Sequence, residues 1–315
     1  MSNMGRMGKK QKIALSVACV SVLSAAFLVT SFYRTFAANL RSDGAKRPTT
    51  SSSASSAATT VPTTTANDNA GKAEQNGSRK AAELPDIASL SSKKIGWGQG
   101  TNFDSLNRPQ DAVNAQEKYG DLGGHFVDLS EKKVIYLTFD EGYENGYSSD
   151  ILDTLKQKGV KATFFITGDY AKREGELVQR MIDEGHTVGN HTWKHYSMPE
   201  KSLDVCREEI TQLEQYVQEN FHYKMTTLRP PMGEFSEQTL ALASEMGYST
   251  WFWSFAYKDW DVNSQTDSAT ALNKLNNRLH CGAIYLLHAV SPTNAAILGD
   301  FIDNARAQGY EFVTP

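Results

Sequence analysis

Cysteine is scarce in this chain, with three residues in 315, and Cys19 falls inside an N-terminal apolar run. Only Cys206 and Cys281 remain, too few for a disulfide framework and in no metal-type spacing. Whether they pair is open from sequence; singly, each reads as a small core residue. An excess of one charge is also missing. The 32 Lys and Arg against 36 Asp and Glu give −4, and the pI is near 6.0. That balance offers no electrostatic footprint for nucleic acid. No Gly-rich phosphate loop follows any apolar run, which argues against a dinucleotide-binding sheet. No internal repeat is evident.

Long apolar runs are nearly absent too. The exception covers residues 13–30, behind Arg6, Lys9, Lys10 and Lys12. Its 18 residues are short for a bilayer span and long for a signal-peptide core. The basic flank places the N-terminus inside and the rest outside. Residues 1–38 are therefore expected to be a signal anchor, which would make the protein extracytoplasmic and membrane-attached. Small residues around Thr35, Phe36 and Ala37 leave a cleaved signal peptide, and hence secretion, as the alternative. Residues 39–85, rich in Ser, Thr, Ala, Asn and Gly, cannot bury enough surface to offset their ordering entropy and read as a disordered tether. Residues 86–130, with Trp97 among Gly, Asn and Asp, read as an irregular lead-in packed on a single catalytic domain at 131–315.

Within that domain, apolar runs at 134–139, 162–167, 186–189, 227–229, 250–255, 283–287 and 310–313 alternate with helix-period segments. Gly159, Gly185 and Gly247 stand where helices should end. Strands alternating with helices imply parallel pairing through right-handed crossovers. Seven of them favour a closed α/β barrel.

The residues that carry chemistry cluster at the ends of these strands. Asp140 and Glu141 end the first. His191 and His195 follow the third, spaced to share one face of a helical turn and one metal. Arg229 precedes two prolines that stiffen its turn. Asp259 and Trp260 follow an aromatic run, and His288 ends the run after Leu286 and Leu287. Taken alone, each has an ordinary structural explanation: a helix cap, a chance histidine pair, a solvated arginine, a buried core histidine. His186 reads as structural; His125, His222 and His280 show no partner. The acidic pair, histidine pair and lone histidine together suggest metal-assisted hydrolysis.

In this order the segments resemble the polysaccharide deacetylase family with the NodB homology domain, from about Val134 to the C-terminus. The motifs are Thr138-Phe139-Asp140-Glu141-Gly142, His191-Thr192-Trp193-Lys194-His195, Arg229-Pro230-Pro231-Met232-Gly233, Asp259-Trp260 and Leu286-Leu287-His288. Segments such as Gly142-Tyr143-Glu144-Asn145-Gly146-Tyr147 look most like the branch that deacetylates N-acetylmuramic acid and leads to muramic δ-lactam in spore cortex. The resemblance implies a distorted (β/α)7 barrel acting on peptidoglycan glycan strands. It makes Asp140 the general base, oriented by Arg229, and His288 the general acid, tuned by Asp259. It makes His191, His195 and Glu141 ligands of a divalent metal, zinc by donor type, with cobalt or manganese also accepted. The backbone N–H of Met232 would meet the oxyanion, and Leu286 and Trp260 would wall the acetyl methyl. Two positions depart from the pattern. Glu141 replaces the usual second aspartate, so that it either ligates or swings out, and Met232 replaces an aromatic. A rival substrate is N-acetylglucosamine in peptidoglycan or another polymer. A rival of another class is a glycan-binding module of weak activity. Oligomeric state is not legible.

Overall fold

The computed structural model describes residues 85–315. The proposed anchor, and all of the tether but its last residue, lie outside the described residues. Among the described residues no helix is long and apolar enough to cross a membrane.

In chain order the strands are β1 (Ile95–Gly96), β2 (Gly124–His125), β3 (Val134–Glu141), β4 (Thr163–Ile166), β5 (Thr187–Asn190), β6 (Thr227–Leu228), β7 (Glu234–Phe235), β8 (Ser249–Trp251), β9 (Phe255–Ala256), β10 (Ala283–Leu287) and β11 (Glu311–Val313). The helices are α1 (Gln110–Tyr119), α2 (Ser148–Lys158), α3 (Gly168–Arg173), α4 (Gly175–Asp183), α5 (Leu203–Phe221), α6 (Glu237–Glu245), α7 (Ser268–Asn276) and α8 (Pro292–Ala307). Nine strands form a parallel sheet in the order β2-β8-β6-β5-β4-β3-β10-β9, with β11 also on β3.

Each expected apolar run holds a strand. The sheet keeps two edges, β2 and β9, so the distorted (β/α)7 fold is a curled half-barrel, open where strand count alone favoured closure. The run 250–255 supplies two strands because its middle leaves the ladder: the carbonyls of Trp251 and Phe252 accept hydrogen bonds from Arg229 instead. Gly159, Gly185 and Gly247 each take a left-handed conformation just past a helix, as their positions imply.

β3 shows how the curl makes a site. Its side chains alternate. Ile135, Leu137 and Phe139 join the main core under the helices, while Tyr136 packs with Phe165, Trp251 and Ile284 on the concave face. By this alternation Thr138 and Asp140 also face inward, and Glu141 faces the helices. The registers Asp140↔Phe165↔Gly189 put a ring beside a glycine. A Cβ on Gly189 would sit 2.5 Å from the Phe165 ring.

The lead-in is more ordered than its composition suggests. Helix α1 buries Ala112, Val113, Ala115 and Tyr119, β2 extends the sheet, and β1 pairs antiparallel with β7. Cys206 is buried, Cys281 half-buried, and both are free thiols.

Candidate active site

Parallel strands end at the same edge of the sheet, so Asp140, next to last in β3, and His191, Arg229 and His288, each one residue past β5, β6 and β10, reach one rim. They surround a cavity of about 920 Å³ lined by Asp140, His191, His195, Met232, Trp260, Leu286 and His288. Arg229 and Asp259 lie behind this wall, each buried against the residue it orients.

Arg229 has no exposed surface. Its guanidinium lies 4.2 Å from the centroid of the Phe165 ring, the ring for which Gly189 leaves room. Nε and Nη2 donate to the carbonyls of Trp251 and Phe252 at 2.9 and 2.7 Å, and Nη1 donates to Thr138 Oγ1 and Asp140 Oδ1, both at 2.8 Å. Burial alone would raise the pKa of Asp140; the charges of Arg229, His191 and His288 outweigh it and hold the carboxyl below its usual value. The result is an ionised carboxylate, largely buried, with an edge on the cavity.

His288 has the opposite bias. Asp259 Oδ1 lies 2.7 Å from its Nδ1, and Oδ2 accepts the His288 backbone N–H at 2.9 Å. Asn294 Nδ2 donates to the same Oδ2 at 2.6 Å. Burial would lower the imidazole pKa, but the bond to Asp259 and the charges of Asp259 and Asp140 raise it above normal. Trp260, half exposed, sits with its ring centroid 5.7 Å from that of His288.

The histidine pair converges without the expected helical turn. Residues 191–197 are non-helical, and Thr192 and His195 are left-handed. Side chains hold the turn: Asn190 Oδ1 accepts from Thr192 N, and Thr192 Oγ1 accepts from His195 N. Polar side chains that bond nearby backbone groups compete with helix in this way. His191 Nδ1 bonds the Arg229 carbonyl at 2.7 Å, which assigns the ring proton there and leaves the Nε2 lone pair facing the cavity. That Nε2 is 3.2 Å from His195 Nε2 and 3.5 Å from Asp140 Oδ2. Burial takes the His191 pKa down to about 4, keeping it a neutral donor.

Glu141 is not brought to this pair. It is fully buried, does not line the cavity, and neither carboxylate oxygen has a hydrogen-bond partner. The cause is the strand's alternation: with Asp140 inward, the next side chain points outward. Burial and the nearby charges of Glu144 and Asp140 push its pKa far up. Among the described residues no group of three or more His, Cys, Asp or Glu side chains is arranged to hold a metal ion. Two imidazole nitrogens suit a divalent metal, but the complete ligand set expected from the motifs does not fit.

Several contributors were not foreseen. Asn294 braces Asp259 from α8, and nothing in its spacing marks it; Thr138, present in the first motif without an assigned role, braces Arg229. Trp97 and Gln99 from the lead-in, and Trp253 from the aromatic run, also line the cavity. Trp97 was visible as an aromatic in a polar stretch. Of the other histidines, three are structural: His186 Nδ1 accepts from Ala162 N, His280 bonds Ser254 Oγ, and His125 stacks on Trp251; His222 is the exposed, left-handed residue that ends α5.

The curled parallel sheet, the arginine-held carboxylate and the aspartate-held histidine are the parts that the motifs of the polysaccharide deacetylase family imply. The chain belongs to the polysaccharide deacetylase family, whose model matches residues 129–251. It is 39% identical over 226 residues to the peptidoglycan-N-acetylmuramic acid deacetylase PdaA of Bacillus subtilis, covering 69% of this chain and 83% of that protein. The solved structure of that enzyme, a family 4 carbohydrate esterase, superposes with a TM-score of 0.68, covering 71% of this chain and 96% of the other. The peptidoglycan-N-acetylglucosamine deacetylase PgdA of Listeria monocytogenes is 36% identical over 182 residues, 58% of this chain but only 38% of that longer protein.

Proposed function

We propose that this protein is an extracytoplasmic peptidoglycan deacetylase that removes the N-acetyl group from N-acetylmuramic acid. The carrying observation is that one cavity holds a carboxylate biased toward its base form and an imidazole biased toward its acid form. Titratable groups driven apart in this way are suited to acid and base roles in one reaction.

The chain's own groups account for each proton. Asp140 accepts a proton from a water whose oxygen attacks the acetyl carbonyl carbon. The oxyanion that forms faces the backbone of Met232 at the cavity wall. His288, protonated and held by Asp259, gives its proton to the nitrogen as the C–N bond breaks. Acetate leaves, and the sugar keeps an amine. His191 and His195 present neutral imidazole donors beside Asp140. A divalent metal held there would polarise the carbonyl.

Similarity to PdaA over most of its length supports muramic acid over glucosamine. So does Lys194, which lines the same cavity and could meet the lactyl carboxylate that glucosamine lacks. An amine freed beside that lactyl group can close to a δ-lactam, which fits a role in spore cortex. Residues 1–38 would tether the enzyme outside the membrane.

The test is mass spectrometry of muropeptides after the full chain has acted on peptidoglycan strands with and without stem peptides. Acetyl loss from muramic acid is the expected outcome. Acetyl loss from glucosamine would move the enzyme to the other substrate, and no loss from any strand would overturn the reading.

A further inference from the structure

Residues 95–99 lie upstream of the family match, yet Trp97, Gly98 and Gln99 form part of the cavity wall. β1 pairs with β7 through Ile95↔Phe235 and Gly96↔Glu234, immediately after Met232 and Gly233. Those two residues are both left-handed, with φ of 59° and 65°. Consecutive left-handed residues, one of them not glycine, persist only when their surroundings over-determine them. Here the surroundings are the lead-in. Trp97 N donates to the Gly233 carbonyl at 3.0 Å, and Trp97 Nε1 donates to the Trp253 carbonyl at 2.9 Å. Gln99 closes the frame: its Oε1 accepts from Trp253 Nε1 at 3.0 Å, and its Nε2 donates to the Ala256 carbonyl at 2.9 Å. The frame leaves no room at Gly233, where a Cβ would lie 2.6 Å from the Trp253 ring and 3.2 Å from Trp97 Cβ.

We propose that Trp97 and Gln99 are positioning residues for the left-handed Met232–Gly233 turn, so that the lead-in strand fixes the Pro231–Met232 peptide whose N–H meets the developing oxyanion. This rests on the deacetylase reading above. Neither residue donates or accepts a reaction proton. Their effect is on where the Met232 N–H points, a geometry that matters most when charge builds on the acetyl oxygen. Removing the frame should therefore act on the transition state more than on glycan binding.

Gln99→Leu, Trp97→Phe and Trp97→Ala should be made in the full chain and assayed on acetylated glycan strands. Thermal unfolding serves as the check on folding. Gln99→Leu and Trp97→Phe should lower kcat roughly tenfold with KM within about twofold, the loss attributed to a misaimed oxyanion donor. Trp97→Ala should lose more. Affinity for a phosphonate mimic of the tetrahedral intermediate should fall in step with kcat/KM, while affinity for the deacetylated product stays constant. Both limbs of the pH profile should stay in place, since Asp140 and His288 are untouched. If the folded Gln99→Leu and Trp97→Phe variants keep wild-type kcat, or lose product affinity instead, the positioning role is wrong. Inactivity of the wild-type chain on every glycan would instead overturn the deacetylase reading itself.

Discussion

Nη1 of Arg229 lies 2.8 Å from Oδ1 of Asp140, and the guanidinium making that bond has no contact with solvent. A buried charge is tolerated only when paired, so each residue is the condition for the other. Arg229→Ala should cost about 3–5 kcal/mol of stability, the usual range for breaking such a pair. Arg229→Met, which removes the charge but keeps most of the volume, should fold better and still be inactive. In it the Asp140 carboxyl loses its main electrostatic support, so the acidic limb of any residual activity should move to higher pH. In the wild type, Asp140 titrates below its unfolded value. Its contribution to stability is present above about pH 4 and is lost as pH falls through the folded pKa. Unfolding curves from pH 3 to 7 for both proteins test the sign: the variant should show a weaker acid-side slope.

Asp140→Asn keeps the shape and removes the base. The expected loss in kcat is about 10²–10⁴-fold, the range for a general base, with glycan binding retained. Binding measured by calorimetry alongside the rate separates this outcome from a collapsed site. Near-normal turnover would mean that another group takes the proton.

Asp259→Asn should act on the other side of the pH profile. His288 is raised by the bond and charge of Asp259, with a further contribution from Asp140. An imidazole raised in this way contributes stability that is full below its unfolded pKa of about 6.5 and is lost as pH rises through the folded value. Without the Asp259 carboxylate, the alkaline limb should shift to lower pH, and kcat at neutral pH should fall because less of the acid form remains. NMR titration of the His288 ring reads the same shift without relying on turnover. An unmoved ring pKa would show that Asp259 does not tune it.

Glu141 offers a sharper test because motif and fold disagree about it. As a metal ligand it would be essential. As a buried, unpartnered carboxyl under α2 and α3 it is a liability. Glu141→Met should raise stability by about 1–3 kcal/mol at neutral pH by removing an unsatisfied buried group, or roughly 2–4 °C in Tm per kcal/mol for a domain this size. A carboxyl raised on folding lowers stability as pH climbs past its unfolded value near 4.3, so the gain should shrink toward pH 4, leaving only the cost of the unsatisfied neutral carboxyl. Zinc content after dialysis, measured by mass spectrometry, should be the same in variant and wild type. Loss of bound zinc with no gain in Tm would restore Glu141 to the ligand set.

The residues of the rim were legible because each stands at a strand end, and strand ends in a parallel sheet meet on one rim. Asp140, His191, Arg229 and His288 are all of this kind. Their side-chain directions were legible only in part. The two-residue period of β3 decides that Asp140 and Glu141 diverge, whereas their adjacency in sequence suggests that they act together. The conformation around His191 and His195 was hidden for another reason. Four-residue spacing is shared by a helical turn and by a loop folded on Asn190 and Thr192, and only the second occurs. The lead-in was the least legible part. Its strand is two residues long, and what holds it is pairing across more than a hundred residues with β7, which no local pattern carries.

Gly189 joins the core to the site in a single position. It faces Phe165 across the β4–β5 pair, and an added Cβ would come within 2.5 Å of that ring and 2.7 Å of Thr227 Oγ1. The ring cannot withdraw freely, because the Arg229 guanidinium rests on its face at 4.2 Å and is itself fixed by four hydrogen bonds. Gly189→Ala should therefore cost about 1–3 kcal/mol, the range for overpacking a filled core. It should also lower kcat more than a stability loss of that size explains, since displacement of Phe165 is passed through Arg229 to Asp140. Pairing it with Phe165→Leu, which opens space beside residue 189, should recover part of both losses. A double variant no better than Gly189→Ala alone would show that the added methyl acts through Thr227 and the backbone, and that the ring does not couple the core to the catalytic carboxylate.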